Sequence, residues 1–317
     1  MTDMQTKMTQ RMLTDTVLTR RTVLGGAAGI AATTLMPLAA RAEFPIPDVL
    51  PLEKTDYAVA RRSFRTKLIQ KGPAPDDYKP LGDAPGARKV LYPGGPNGSI
   101  GLIAWISDNQ VPTEKKPAVL FLHGGNSTGE GHWLLMKSYV DAGYVAMLPS
   151  MRGENGQPGN FSGFYDEVDD VLSAAHYLSE QPGVDKSRVF LAGHSVGGTL
   201  ALLSAMAHPF RAAVAMAGNP DAWRFFSRFS QDIRFDVSDP QEFVMRSAGC
   251  FAPSLKCPML MTRGTEEGQF TERHQLFMSR VKDAGQYIDA MSVPGNHNGA
   301  VPGEILESIR FFKERSV

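Results

Sequence analysis

The chain has 317 residues, 42% of them apolar and 21% charged, a composition that builds a sizeable core and excludes general disorder. Its 33 Lys and Arg balance 33 Asp and Glu, so no global field draws it to nucleic acid or to an anionic membrane surface. Two cysteines, Cys250 and Cys257, are too few for a disulfide-built scaffold or a four-ligand structural zinc site.

Lys7, Arg11, Arg20 and Arg21 precede an uncharged run over residues 23–40, and Ala40-Arg41-Ala42 supplies the small-x-small pattern that a signal peptidase reads. Residues 1–42 therefore read as a signal peptide cut after Ala42. A membrane anchor fits less well, because Gly, Ala and Thr dominate the run and Pro37 interrupts its end. Thr19-Arg20-Arg21-Thr22-Val23-Leu24 resembles the twin-arginine export signal, with Val23 where that motif usually has Phe. The twin-arginine machinery is thus the expected partner of the precursor, and the mature protein is expected in the periplasm or outside the cell. In that oxidising setting Cys250 and Cys257 either pair across residues 251–256 or remain two thiols.

Residues 43–88 are rich in Pro and charge and read as an arm wrapped on the domain, with a short helix around residues 57–69. Residues 90–92 and 100–106, separated by the turn cluster PGGPNGS, read as an antiparallel hairpin. Residues 43–116 are expected to hold this arm and hairpin, and residues 117–317 the α/β core of the same domain. Short apolar runs at 118–122, 144–148, 189–191, 213–216, 259–262 and 287–293 have the character of strands buried on both faces. Helical spacing separates them: Val168, Val171, Leu172, Ala175 and Leu178, then Phe277 with Val281, then Ile305, Ile309 and Phe312. The alternation predicts an α/β fold with a doubly wound, mostly parallel sheet, whose ligands bind at the carboxyl ends of its strands. About forty residues between the fourth and fifth of these runs carry Trp223, Phe225, Phe226, Phe229 and Phe235, and are expected to supply both core packing and a short helical cap.

Gly193-His194-Ser195-Val196-Gly197-Gly198 lies between a buried strand and a helix. In that context G-x-S-x-G is a tight turn that exposes a strained serine above a helix amino terminus, whose dipole favours developing negative charge. Ser195 is the candidate nucleophile. A serine needs a base, and of seven histidines only His297 follows the last strand late in the chain; His132, His176, His208 and His274 lie within or beside helices, and His194 is held by the turn itself. The imidazole needs a carboxylate to fix its tautomer, and Glu266 and Glu267 both follow the run at 259–262. After the run at 118–122 comes His123-Gly124-Gly125-Asn126, so amides of Gly125 or Asn126 are expected to join that of Val196 as an oxyanion hole.

Together these motifs resemble the α/β-hydrolase superfamily, and more closely the catalytic domain of prolyl oligopeptidase-like serine hydrolases. PSMRGENGQPGNF looks like that group's Arg-Gly loop, YDEVDDVLSAAHYL like its Asp-bearing helix, and MRSAGCFAPSLKCPMLMTRGTEE like the segment leading into its acid-bearing strand. The resemblance implies Glu267 at the acid position, where the group usually has Asp, with Glu266 as the alternative. Peptidases of the group generally carry a long β-propeller, for which the residues preceding the core leave no room; this shifts the expected substrate from peptides toward small or medium acyl esters. The reading is an exported serine hydrolase that acts on a small-molecule or short-peptide substrate through an acyl-enzyme and needs no metal or organic cofactor. Two alternatives remain: a small oligopeptidase or aminopeptidase, and a non-catalytic binding protein on a hydrolase shell.

Overall fold

Strands joined through crossover helices run the same way, and most strands of this chain do so within one sheet. A computed structural model describes residues 44–75, 79–108 and 114–316; the expected signal peptide lies outside the described residues. Eight strands run in the order β1-β2-β4-β3-β5-β6-β7-β8. β1 (Ala87–Gly94) and β2 (Ile100–Ser107) form the antiparallel hairpin, and β2 pairs antiparallel with β4 (Val145–Pro149). All later pairings are parallel: β4 and β5 (Val184–His194) flank β3 (Lys116–Leu122), and β6 (Ala213–Met216), β7 (Met259–Gly264) and β8 (Ile288–Val293) follow in turn. This is the expected doubly wound sheet.

Period-two alternation divides the core. On β3, Val119 and Phe121 face one layer with Trp133, Met136 and Tyr139 of α2 (Glu130–Asp141) and Ile305, Ile309 and Phe312 of α8 (Val301–Glu314). Leu120 and Leu122 face the other, with α3 (Glu167–Ser179), α4 (Val196–Ala207) and α7 (Glu272–Asp283). α4 is buried from Gly197 to Met206 and lies under the sheet's central strands. β8 departs from expectation: only Ile288 and Val293 of its six residues are buried, because it is the edge strand.

The excursion between β6 and β7 holds α5 (Ala222–Arg228), α6 (Pro240–Val244) and several 3₁₀ turns. Trp223 stacks on Phe243 at 5.2 Å, and Phe226 and Phe235 pack edge-on against the same ring. The amino-terminal arm is tied to this cluster. Its helix α1 (Tyr57–Ser63) is shorter than expected, because Phe64 turns extended and the next residues pair with the excursion instead. Thr66 donates through its hydroxyl and Lys67 through its amide to Glu242, and Leu68 bridges Phe235. Arg246, fully buried, closes the junction by donating to Glu242, to Thr66 and to the carbonyls of Ser162 and Gly163, with its guanidinium 4.0 Å from the Phe235 ring centroid.

The possible disulfide is not formed. Cys250 and Cys257 are free thiols on either side of a 3₁₀ turn (Ala252–Ser254), each packed in the apolar core, where burial pushes the Cys257 thiol up to about 12 and the Cys250 thiol higher still.

Removing Arg246 strands a buried carboxylate and three buried carbonyls, those of Ser162, Gly163 and Glu242. Arg246→Ala is expected to lower the unfolding free energy by about 3–5 kcal/mol, measured by urea denaturation.

Candidate active site

The sheet register sets one row of strand ends. Leu122 pairs with Gly193, Gly193 with Ala215 and Ala215 with Met261, so the residues that follow converge on one edge. At its centre Ser195 takes φ 56° and ψ −112°, a left-handed φ that is costly for a residue with a side chain. The strain is enforced from both sides. Ser195 N–H donates to Met216 O on β6 and Gly197 N–H to His123 O beyond β3. A Cβ at Gly193 would sit 2.2 Å from Gly197 O, and one at Gly197 2.2 Å from Leu122 O, so both positions require glycine. α4 begins at Val196, directly beneath the serine.

A relay runs from that serine. Ser195 Oγ lies 3.0 Å from His297 Nε2, and His297 Nδ1 lies 2.7 Å from Glu267 Oε1. A carboxylate only accepts, so Nδ1 carries the ring proton and Nε2 is the acceptor facing the hydroxyl. Glu267, not Glu266, meets the imidazole; Glu266 is exposed and gives its amide to Gly295 O. The 3₁₀ turn Thr265–Glu267 folds the longer side chain back, so that Oε2 accepts the Gly264 amide at 2.8 Å while Oε1 reaches the ring. Burial alone would raise this carboxyl, but the imidazole and the amide outweigh it and hold it below its ordinary value.

Neighbours that the motifs did not single out hold this geometry. Arg263 donates to Glu267 O and Gln269 O, bracing the acid's loop. His194 donates from Nε2 to His297 O at 2.9 Å; burial, with the His297 ring beside it, pushes it down to about 4, so it stays neutral. His123 is buried with Nε2 2.9 Å from Glu154, which also accepts the Met151 amide and so ties the β3 loop to the Arg-Gly loop. There Arg152 makes a bidentate pair with buried Asp170 of α3. The signals for these were present in HGG and RGEN, but their partners lie far apart in sequence.

The loop that carries Gly125 and Asn126 approaches the serine turn through Gly124. A Cβ on Gly124 would lie 2.8 Å from His194 Nδ1 and 3.4 Å from Ser195 Cβ, so the β3 loop runs against the turn. Gly125, with φ 71°, is exposed at this point, and Val196, as the first residue of α4, has its amide outside the intrahelical ladder. Asn126 is buried and directs its side-chain amide toward Asp232 of the excursion. A cleft of about 670 Å³ opens over Ser195 and His297, walled by Phe225 and Phe229 of the excursion and by Phe270. The aromatic segment thus divides as expected: Trp223, Phe226 and Phe235 pack inward, whereas Phe225 and Phe229 face the cleft.

An eight-stranded, mostly parallel sheet with a strained serine turn at the carboxyl end of its central strand is an α/β-hydrolase fold. The sequence model of the prolyl oligopeptidase family matches residues 133–312, and the chain belongs to that family of serine hydrolases. It is 25% identical over 171 residues, 50% of this chain, to the Bacillus subtilis protein named "Uncharacterized peptidase YtmA", of which the match covers 66%. It is 28% identical over 146 residues, 41% of this chain, to YitV of the same organism, provisionally named an esterase, of which the match covers 56%. Among solved structures, Pyrococcus horikoshii acylaminoacyl peptidase superposes with a TM-score of 0.59 at 18% identity, over 72% of this chain and 40% of that one. The chain therefore spans only part of each of these relatives.

Glu304, on the first turn of α8, is fully buried beneath the site and accepts from Thr262 Oγ1 at 2.8 Å, with Oε2 left without a hydrogen-bond partner among the described residues. Burial pushes it from 4.5 up to about 7. The folded state thus holds a proton that the unfolded chain has released between these values, so this contribution is present below pH 4.5 and lost as pH rises through 7. Glu304→Gln is expected to reduce the loss of stability between about pH 5 and pH 8 by up to about 3 kcal/mol, measured by denaturant unfolding at both values.

Proposed function

We propose that Ser195, His297 and Glu267 are the nucleophile, base and orienting acid of an exported carboxylic ester hydrolase that works through an acyl-enzyme. The observation that carries this reading is the unbroken relay, 3.0 Å from hydroxyl to imidazole and 2.7 Å from imidazole to carboxylate. Ser195 Oγ attacks the carbonyl carbon while its proton passes to His297 Nε2, and Glu267 stabilises the imidazolium. The carbonyl oxygen takes up the negative charge facing the Val196 and Gly125 amides, with the Asn126 amide as a further donor. Collapse breaks the bond to the leaving group, which departs with the proton from His297. Water then gives a proton to the same nitrogen, attacks the acyl-serine, and releases the acid as Oγ recovers its hydrogen. The His297 side chain is 44% exposed, so water reaches the base without a further opening. Each transfer uses only groups of the chain and solvent.

YitV, by its provisional name, supports an ester substrate. A peptidase is the second reading, favoured by the family and by the name of YtmA. Export rests on the twin-arginine-like stretch around Arg20 and Arg21 and the cut expected after Ala42.

A panel of aryl acyl esters and aminoacyl anilides, assayed with purified protein, decides between substrates: ester turnover with higher kcat/KM is expected, and predominance of the anilides would assign a peptidase. Ser195→Ala should abolish turnover and fluorophosphonate labelling while the unfolding transition survives; labelling elsewhere in a still active variant would refute the nucleophile. In cells, Arg20→Lys with Arg21→Lys should trap the precursor, whereas the exported protein should begin at Glu43 by mass spectrometry.

A further inference from the structure

We infer that the cleft selects substrates bearing an anionic group, a carboxylate joined by a short apolar stretch to the scissile carbonyl. This rests on Ser195 being the nucleophile. Helix α5 forms one wall, and its Arg224 and Arg228, one turn apart and so on one face, are both exposed and both line the cleft. Neither guanidinium has a hydrogen-bond or ion-pair partner among the described residues. Some surface cations pair with nearby carboxylates, as in Lys137 with Asp141, Lys186 with Glu180 and Arg310 with Glu307; what distinguishes Arg224 and Arg228 is that both stand over the cleft. The acid of α5, Asp221, is turned inward as the helix cap, where it accepts the Arg224 amide and lies 3.2 Å from Arg273 Nε.

The same wall supplies the apolar stretch, because Phe225 and Phe229 flank the two arginines on the cleft side. Arg273, its side chain nine-tenths buried, also lines the cleft and leaves Nη1 without a hydrogen-bond partner among the described residues; Asp221 offsets its charge, so it adds donors more than net charge. Against these cations the cleft holds two carboxylates, Glu267, committed to His297, and Glu272. Arg263 lines the cleft too, with its Nη donors given to the carbonyls of Glu267 and Gln269, so the lining holds four guanidiniums against two carboxylates. A guanidinium fork matches a carboxylate in shape as well as charge.

The test compares mono-para-nitrophenyl adipate with para-nitrophenyl hexanoate and the aminohexanoate ester, which share length and leaving group and differ in terminal charge. The native enzyme should turn over the adipate with the highest kcat/KM, and the advantage should shrink with added salt. In the double variant Arg224→Gln, Arg228→Gln, the adipate-to-hexanoate ratio should fall at least roughly tenfold, the size of one lost charge-assisted hydrogen bond. A ratio unchanged in the double variant, or a native preference for the aminohexanoate ester that would point to Glu272, overturns the inference. Fluorophosphonate labelling of Ser195 separates the two failures: a labelled enzyme with no anion preference refutes only this subsite, whereas an inert, folded protein refutes the hydrolase reading beneath it.

Discussion

The site depends on one constraint, the absence of side chains at Gly193 and Gly197. Ser195 occupies a left-handed conformation because two amides are held, its own by β6 and that of Gly197 by the loop after β3. Those bonds form only if the backbones meet closer than any Cβ allows. The sheet and the buried helix α4 supply the rigidity that keeps the strained turn from relaxing. Packing of ordinary Val, Leu, Ala and Met side chains in two layers is thus the physical source of the serine's exposure.

A second tier of interactions converts exposure into alignment. Glu267 is a longer acid on a tighter turn: the extra methylene is taken up by folding back to the Gly264 amide, and the carboxylate serves loop and imidazole at once. Arg263 braces that loop through two carbonyls, and Glu154 and Asp170 hold the loops on the opposite side of the serine. Farther out, Arg246 and Glu242 fasten the amino-terminal arm to the excursion that carries the cleft's aromatic wall. Fold and cleft are therefore continuous, since the segment that shapes the cleft is held by the same ion pair that anchors the arm.

Much of this was legible in the sequence because it is local. Short apolar runs identify strands, glycine spacing identifies the serine turn, and position after the last strand picks out His297. What was not legible is what distant contacts decide. Glu266 and Glu267 are indistinguishable as letters, and only the 3₁₀ turn determines which carboxylate faces the ring. The arm's helix ends at Ser63 because residues 66–68 find partners more than 160 positions away. The cysteines, close in sequence, lie buried on either side of a 3₁₀ turn as free thiols. Arg224 and Arg228 carry no motif at all. Arginines on an exposed helix are commonplace until the cleft beneath them is seen.

The hydrogen bond from His194 to the carbonyl of His297 ties the residue before the serine to the residue that faces it. Nucleophile and base, 102 positions apart in the chain, are thereby mounted on one bracket rather than on two independent loops. The two loops are thus in direct contact at the point where their side chains must meet. Alignment in this protein is accordingly a property of the linkage between the two loops as well as of the sheet that carries each.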